Sequence, residues 1–258
     1  MDTKARTQSR FGQYAQEYVK SAEHAQGDDL ALLLALAQPQ PTWRVLDIAT
    51  GGGHTALYFA PHVNQVVACD LTQPMLAAAR AHHQQQSASN IVYSAGDAEN
   101  LPFAPARFDA VTCRIAPHHF PDCFRFVQEV ARVLRPGGVF LLEDNTVPDE
   151  PRAARYVDSM ERLRDPSHYR CYAPYEWEGM CLDAGLQIDV SQTLSKAHTQ
   201  LIPWAARQGC TQDVITHLQV LLAQAPAAVR PWWNAQAVGT PLAAFDHHYV
   251  ILRASKRG

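Results

Sequence analysis

The sequence is short of several features that would declare a function outright. Its six cysteines, at positions 69, 113, 123, 171, 181 and 210, include no CxxC pair, which excludes the usual zinc-ribbon and redox-motif spacings. Scattered cysteines of this kind read as buried, reduced thiols, and they suit a reducing compartment. The opening stretch MDTKARTQSR has no apolar core, so a signal peptide is not expected. The longest apolar run, LALLLALA at 30–37, is eight residues, well short of the roughly 20 that cross a bilayer. Basic charge is not in excess: 22 Lys and Arg stand against 25 Asp and Glu, a net −3, whereas a dedicated nucleic-acid binder carries a basic field. Repeats and low-complexity linkers are missing too. The expectation is a cytoplasmic protein with no membrane span, no nucleic-acid partner and no sign of a particular oligomeric state.

What is present is enough apolar residue, 47% of 258, to bury one large domain, with or without a lid. Phe11, Tyr14, Ala15, Tyr18, Val19 and Ala22 recur on one helical face, so an amphipathic helix opens the chain. Asp28 or Asp29 can cap a second helix over 30–37, which Pro39 and Pro41 end. From residue 44 the pattern alternates. Short β-type runs at 44–48, 65–69, 91–95, 108–113 and 139–143 are separated by helical stretches at 54–60, 72–86 and 122–134. Thr72 and Asp122 are the caps of the latter two. Such alternation means βαβ units and a parallel sheet, and VLDI, VVAC, AVTC and VFLL have the continuous apolar character of doubly covered strands. The second half predicts helices at 151–164, 176–184 and 203–225, and strands at 186–190 and 248–252.

The most informative stretch is VLDIATGGGHTA, residues 45–56. A strand ends, three glycines turn the chain, and a helix begins, a place where backbone can approach a ligand. Gly51-x-Gly53-x-x-Ala56 satisfies a dinucleotide fingerprint, so the acidic residues around it must choose the cofactor. Asp47 sits at the first strand end, where a carboxylate suits a cation and offers a pyrophosphate nothing. Asp70 ends the second strand and can accept ribose hydroxyls. Asp97, in GDAENLPF after the third strand, is placed for an adenine amino group. Any one of these could be an ordinary turn residue. Three at successive strand ends lie along one edge of the sheet, where ligands of open α/β folds bind. The row favours S-adenosylmethionine over NAD.

These segments resemble the motifs of class I methyltransferases in order: VLDIATGGG the first, CDLTQPML the second, GDAENLPF the third, FDAVTCRIAPHHF the fourth, and RVLRPGGVFLLED the helix and strand that follow. The chain is most similar to the type-11 methyltransferase domain, which includes ubiquinone/menaquinone C-methyltransferases, over about residues 40–145. The resemblance implies a Rossmann-like, doubly wound, mostly parallel seven-stranded sheet with an antiparallel last strand. It implies a helical cap at 1–40, and a methyltransferase domain at 41–258 with a partial lid at about 151–231. It also implies that Asp47, Ala49, Gly51 and Gly53 line the methionine part of the cofactor, that Asp70 holds the ribose, that Leu71 and Met75 flank the adenine, that Asp97 and Ala98 lie at its edge, and that Arg114 and Ile115 approach from below. Ala49 replaces the common first glycine and Thr50 the usual cysteine. A methyl group at 49 is tolerated if its backbone angles are ordinary.

Methyl transfer is an in-line displacement, and a base is needed only if the nucleophile carries a proton. His118 and His119, after the fourth strand, are the candidates for base or substrate hydrogen-bonding group. Arg164 and His168, in RLRDPSH, are candidates for binding a polar or anionic small-molecule substrate, with a salt-bridged helix terminus as the structural alternative. Phe11, Tyr14 and Tyr18 could close over the sulfonium by cation–π contact or could be ordinary core. Asp246, His247 and His248 lack metal-ligand spacing, so no metal centre is expected. Trp177, Trp204, Trp232 and Trp233 read as core of the cap region. The alternatives to a small-molecule methyltransferase are an NAD(P)-dependent oxidoreductase and a non-catalytic S-adenosylmethionine-binding protein.

Overall fold

The computed structural model describes residues 3–20 and 28–258, without the side chains of 13–18 and 20. Ala15 and the expected lid residues Tyr14 and Tyr18 are among those side chains, and Ala22 lies outside the described residues altogether.

Two helices, α1 (Thr3–Lys20) and α2 (Asp28–Ala37), precede the sheet. Then come β1 (Arg44–Ile48), α3 (His54–Phe59), β2 (Gln65–Asp70), α4 (Gln73–Gln85), β3 (Ile91–Ala95), β4 (Phe108–Arg114), α5 (Cys123–Val133) and β5 (Leu134–Asn145). The second half supplies α6 (Pro151–Arg164), α7 (Pro174–Asp183), β6 (Leu186–Gln200), α8 (Leu201–Ala206), α9 (Gln212–Ala223), α10 (Arg230–Trp233) and β7 (Ala244–Lys256). The strand order is 3-2-1-4-5-7-6. Strands β1 to β5 pair in parallel, and β7 runs against both of its neighbours, β5 and β6. The chain reverses its direction of travel across the sheet between β1 and β4. That switch point opens a crevice at the strands' C-terminal ends.

Successive strand residues face opposite sides, and each side has its own core. Val45 joins Leu33, Phe59, Val66 and Ile251 on one face, while Leu46 joins Val111, Phe126, Phe140 and Trp177 on the other. Helix α5 turns Phe126, Val127, Val130 and Val133 inward, and the Asp122 carboxylate caps it by accepting from Arg125 N at 2.8 Å. A third apolar cluster, built on Trp204, Leu218, Leu222, Trp233 and Phe245, packs α6, α8, α9 and α10 beyond the sheet end. Trp177 therefore belongs to the main core, and Trp204 and Trp233 to this satellite, against which Trp232 packs half-buried.

The central strands lie where the apolar runs predict them. The edge differs. Strand β6 runs to Gln200 rather than stopping near 190, and β7 spans 13 residues where five were expected. Backbone pairing from Leu186↔Lys256 to Gln200↔Ala244 carries this ribbon, and half of it faces solvent, so its composition is too polar to announce a strand. The single helix expected over 203–225 is two, broken where Gly209 takes φ +65° and Thr211 starts α9 with its own cap. Among the described residues no helix is long and apolar enough to cross a membrane.

Candidate functional site

A cleft of about 1060 Å³, counting the space open to solvent, lies at the ends of β1, β2 and β4 under α1. Asp47, Ala49, Gly51, Asp70, Leu71, Met75, Asp97, Ala98, Arg114, Ile115, Phe11 and His119 all line it. Helix α1 packs on α4, with Phe11 and Val19 against Met75 and Ala78.

The three carboxylates are held by different means. Asp47, 2% exposed, accepts from the hydroxyls of Thr50 at 2.6 Å and Thr112 at 2.7 Å, one on each oxygen. Burial pushes its pKa up to about 6 against the pull of those hydroxyls. A carboxylate offers about four acceptor sites, so Asp47 keeps lone pairs for a cation. The Thr50 that stands in the usual cysteine position thus earns a role as donor. Asp70 accepts from the amides of Gly51 at 2.9 Å and Thr72 at 2.8 Å, which ties the glycine turn to the end of β2. Burial raises its pKa, and those amides oppose the rise. Asp97 accepts from Glu99 N and from Lys4 Nζ, and Lys4 also reaches Glu99 at 2.5 Å. Arg114 is engaged by Asp29 at the start of α2 and by Glu143 of β5.

The turn is strained where the sequence breaks the family pattern. Ala49 has φ +52°, and Ile115, at the end of β4, has φ +50°. The condition on which a methyl group at 49 would be tolerated, ordinary backbone angles, is not met. Non-glycine residues pay about 1–2 kcal/mol in that region, and such outliers gather where a ligand needs a fixed backbone. Gly53, at φ +83°, does not line the cleft as expected. It backs onto α4 instead: a Cβ there would sit 2.2 Å from His83 Nε2. His83 lies 2.9 Å from the Gly53 carbonyl, which can only accept, so Nε2–H is the donor and Nδ1 takes the Tyr93 hydroxyl at 2.7 Å. His83 and Tyr93 support the site unannounced by any sequence motif, and Thr112 lies within the fourth motif without having been singled out there.

At the other end of the cleft, the His119 ring meets Phe11 edge-on, with centroids 4.9 Å apart. His118 turns away from the cleft to Asp144, 2.6 Å from Nδ1. Burial lowers the His118 pKa and raises that of Asp144.

Arg164 and His168 do not reach the cleft lining, contrary to expectation. The Arg164 guanidinium stacks 4.2 Å over Trp204 and donates through Nε to the Trp204 carbonyl. His168 Nε2 bonds Asp158 at 2.8 Å. Asp158, His168 and Cys171 bring donor atoms within 4.8 Å of one another, but Asp158 Oδ1 already accepts from both His168 and Cys171 N, and Oδ2 from Arg162. His247 turns to Glu161 and Tyr249, and His248 to the Trp232 carbonyl. The RLRDPSH segment is scaffold, with half-buried Arg10 of α1 reaching both Gln208 and Asp165.

A doubly wound sheet of order 3-2-1-4-5-7-6 with acidic strand ends along its crevice defines a class I S-adenosylmethionine-dependent methyltransferase. The chain belongs to that family: residues 46–142 match the type-11 Methyltransferase domain. It is 39% identical over 212 residues to the uncharacterized methyltransferase YcgJ of Bacillus subtilis, covering 81% of this chain and 83% of YcgJ. The crystal structure of YcgJ superposes with a TM-score of 0.83, covering 90% of this chain and 99% of that one. Protein BH2331 of Bacillus halodurans, 35% identical, gives 0.86, covering 90% of this chain and all of the other. The likeness to quinone enzymes is weaker than the motifs implied, and a relative that carries it is an O-methyltransferase. The ubiquinone biosynthesis O-methyltransferase of Leptothrix cholodnii is 31% identical over 154 residues, 56% of this chain and 64% of that protein. The protein is an S-adenosylmethionine-dependent enzyme, and the oxidoreductase and non-catalytic alternatives fall away.

Proposed function

We propose that the cleft carries a methyl group from S-adenosylmethionine to a small-molecule acceptor that binds beside His119. The observation that carries this reading is one cleft that Asp47, Asp70, Asp97 and His119 all line. The bound donor supplies an electrophilic methyl group on a sulfonium. Asp47, with Ala49 and Gly51, holds the ammonium of the methionine part through the lone pairs its two threonines leave open. Asp70 accepts from the ribose. Leu71 and Met75 sandwich the adenine, with Asp97 and Ala98 at its edge and Arg114 and Ile115 beneath. Gly53 acts on this set only through the turn that it and His83 shape.

Residues 1–40 act as the cap, and α6 with α8–α10, from the 151–231 stretch, forms the partial lid of the domain at 41–258. Phe11 excludes water beside the reacting centre, and His118 positions His119. A cleft without surplus positive charge favours a small molecule over a nucleic acid. Six free thiols favour the cytoplasm.

Titration calorimetry with S-adenosylmethionine, S-adenosylhomocysteine and NAD tests the assignment. The first two are expected to bind and NAD is not. Binding of NAD alone overturns it.

A further inference from the structure

The His119 ring is held in one tautomer. Its Nδ1 lies 3.1 Å from the Ser167 carbonyl oxygen, and a carbonyl only accepts, so Nδ1 carries the hydrogen and Nε2 is a bare lone pair. The Ser167 hydroxyl oxygen also lies 3.4 Å from Nδ1, but its hydrogen goes to Asp165 at 2.6 Å, as the Ser167 amide does at 2.8 Å, so that oxygen too can only accept from Nδ1. The groups facing the ring are His118 from its own turn, with centroids 4.2 Å apart, His168 and Asp165 from the loop after α6, and Asp144 of β5. Arg10 of α1 acts through Asp165.

Charge narrows the choice further. Lys4 and Arg114 are the lysine and arginine lining the cleft among the described residues, and both are committed, to Asp97 with Glu99 and to Asp29 with Glu143. An anionic acceptor would find no spare cation and would face a lone pair at Nε2. We propose that the methyl acceptor is a hydroxyl compound whose O–H donates to Nε2 of His119. This rests on the methyl-transfer reading given above.

The chemistry suits a weak base. Burial and the neighbouring His118 push the His119 pKa down to about 3, too low to strip a carbon acid or an ammonium before attack. A hydroxyl needs no such strength. As its oxygen bonds to the methyl carbon, the S–C bond breaks and that electron pair stays with sulfur. The oxygen becomes positive, its proton becomes strongly acidic, and the proton passes to Nε2. The imidazolium then releases it to water. An amine attacks as the neutral base and becomes an ammonium that is stable at neutral pH, so an amine acceptor would leave Nε2 without a task.

The test has two parts. Long-range 15N–1H spectra of histidine-labelled protein bound to S-adenosylhomocysteine at pH 7.5 are expected to show His119 protonated on Nδ1 alone. An Nε2–H or imidazolium signature overturns the proposal. Donor carrying a 13C methyl group, incubated with the small-molecule fraction of a cell extract, is expected to yield methyl ethers, read by the methyl carbon's chemical shift. Methyl arriving only on nitrogen or carbon overturns the proposal and leaves the methyltransferase standing, whereas failure of the donor to bind in calorimetry removes the methyltransferase reading itself. His119→Phe should lose about 100-fold in transfer rate, with His119→Gln, which accepts through Oε1, recovering part. Full turnover in His119→Phe also overturns the proposal.

Discussion

Lys4 and Asp97, 93 positions apart in the chain, meet at 2.6 Å across the mouth of the cleft. Burial works against the lysine's charge, yet its bonds to Asp97 and Glu99 keep its pKa raised. The pair is partly exposed, so it contributes about 0.2–1 kcal/mol. Lys4→Ala is therefore expected to speed S-adenosylhomocysteine release by about two- to fivefold in stopped-flow measurements, with the thermal midpoint of the fold unmoved. A larger loss of fold stability than of affinity would show that α1 braces the sheet rather than closing the cleft.

Asp47 gives the donor affinity a pH dependence. The carboxylate must be ionised to hold an ammonium, and without ligand its pKa is raised to about 6 by burial. Below that pH a proton must leave before the cation binds, so affinity falls with acidification by up to about tenfold per pH unit. Calorimetry from pH 7.5 to 5 reads the slope. Asp47→Asn is expected to bind about 10–100-fold more weakly, the worth of a charge-assisted hydrogen bond, and to lose the Asp47 part of that slope.

Gly53→Ala is expected to destabilise the fold by about 2–4 kcal/mol, from overpacking against His83 and from the left-handed backbone. Denaturant titration measures it. Adding His83→Ala removes the obstructing ring, so the double variant should be more stable than the sum of the two single losses predicts.

Ala49→Gly has the opposite sign. The native φ of +52° strains alanine, and relieving it should outweigh the added freedom of glycine in the unfolded chain by about 0.5–1 kcal/mol. A lower melting temperature for this variant would show that the alanine methyl is itself packing the turn.

His119 links stability to acidity. Its folded pKa is depressed to about 3 by burial, against an unfolded value of about 6.5. Between those limits the unfolded chain binds a proton that the folded chain refuses, so stability is lost as pH falls through that window. Asp47 and Asp144, with raised values, pull the other way. The contribution of His119 is therefore read as a difference. His119→Gln should gain on the native protein as pH drops below 6.5, by at most about 1.4 kcal/mol per pH unit.

How much of this was legible in the sequence depended on where the physical constraint lay. A strand covered on both faces must be apolar throughout, which is why VLDI, VVAC, AVTC and VFLL announced the sheet centre. The acidic strand ends stood out because Asp47, Asp70 and Asp97 interrupt apolar or turn segments at matching points. The part of β6 beyond Val190 and the ends of β7 were hidden because an edge ribbon is held by its backbone ladder, which leaves side chains free to be polar. Arg164 and His168 misled because a charged motif in a loop looks alike whether it faces a ligand or its own scaffold, and only the Trp204 and Asp158 contacts decide it. His83 was invisible because its partner is a backbone carbonyl in a distant turn.

Arg10 holds Gln208 and Asp165 at once, and Asp165 in turn fixes the carbonyl that orients His119. Any displacement of the first helix would therefore unfasten the support of His119 as well. If the cap opens as proposed, that one guanidinium couples donor entry to the register of the histidine.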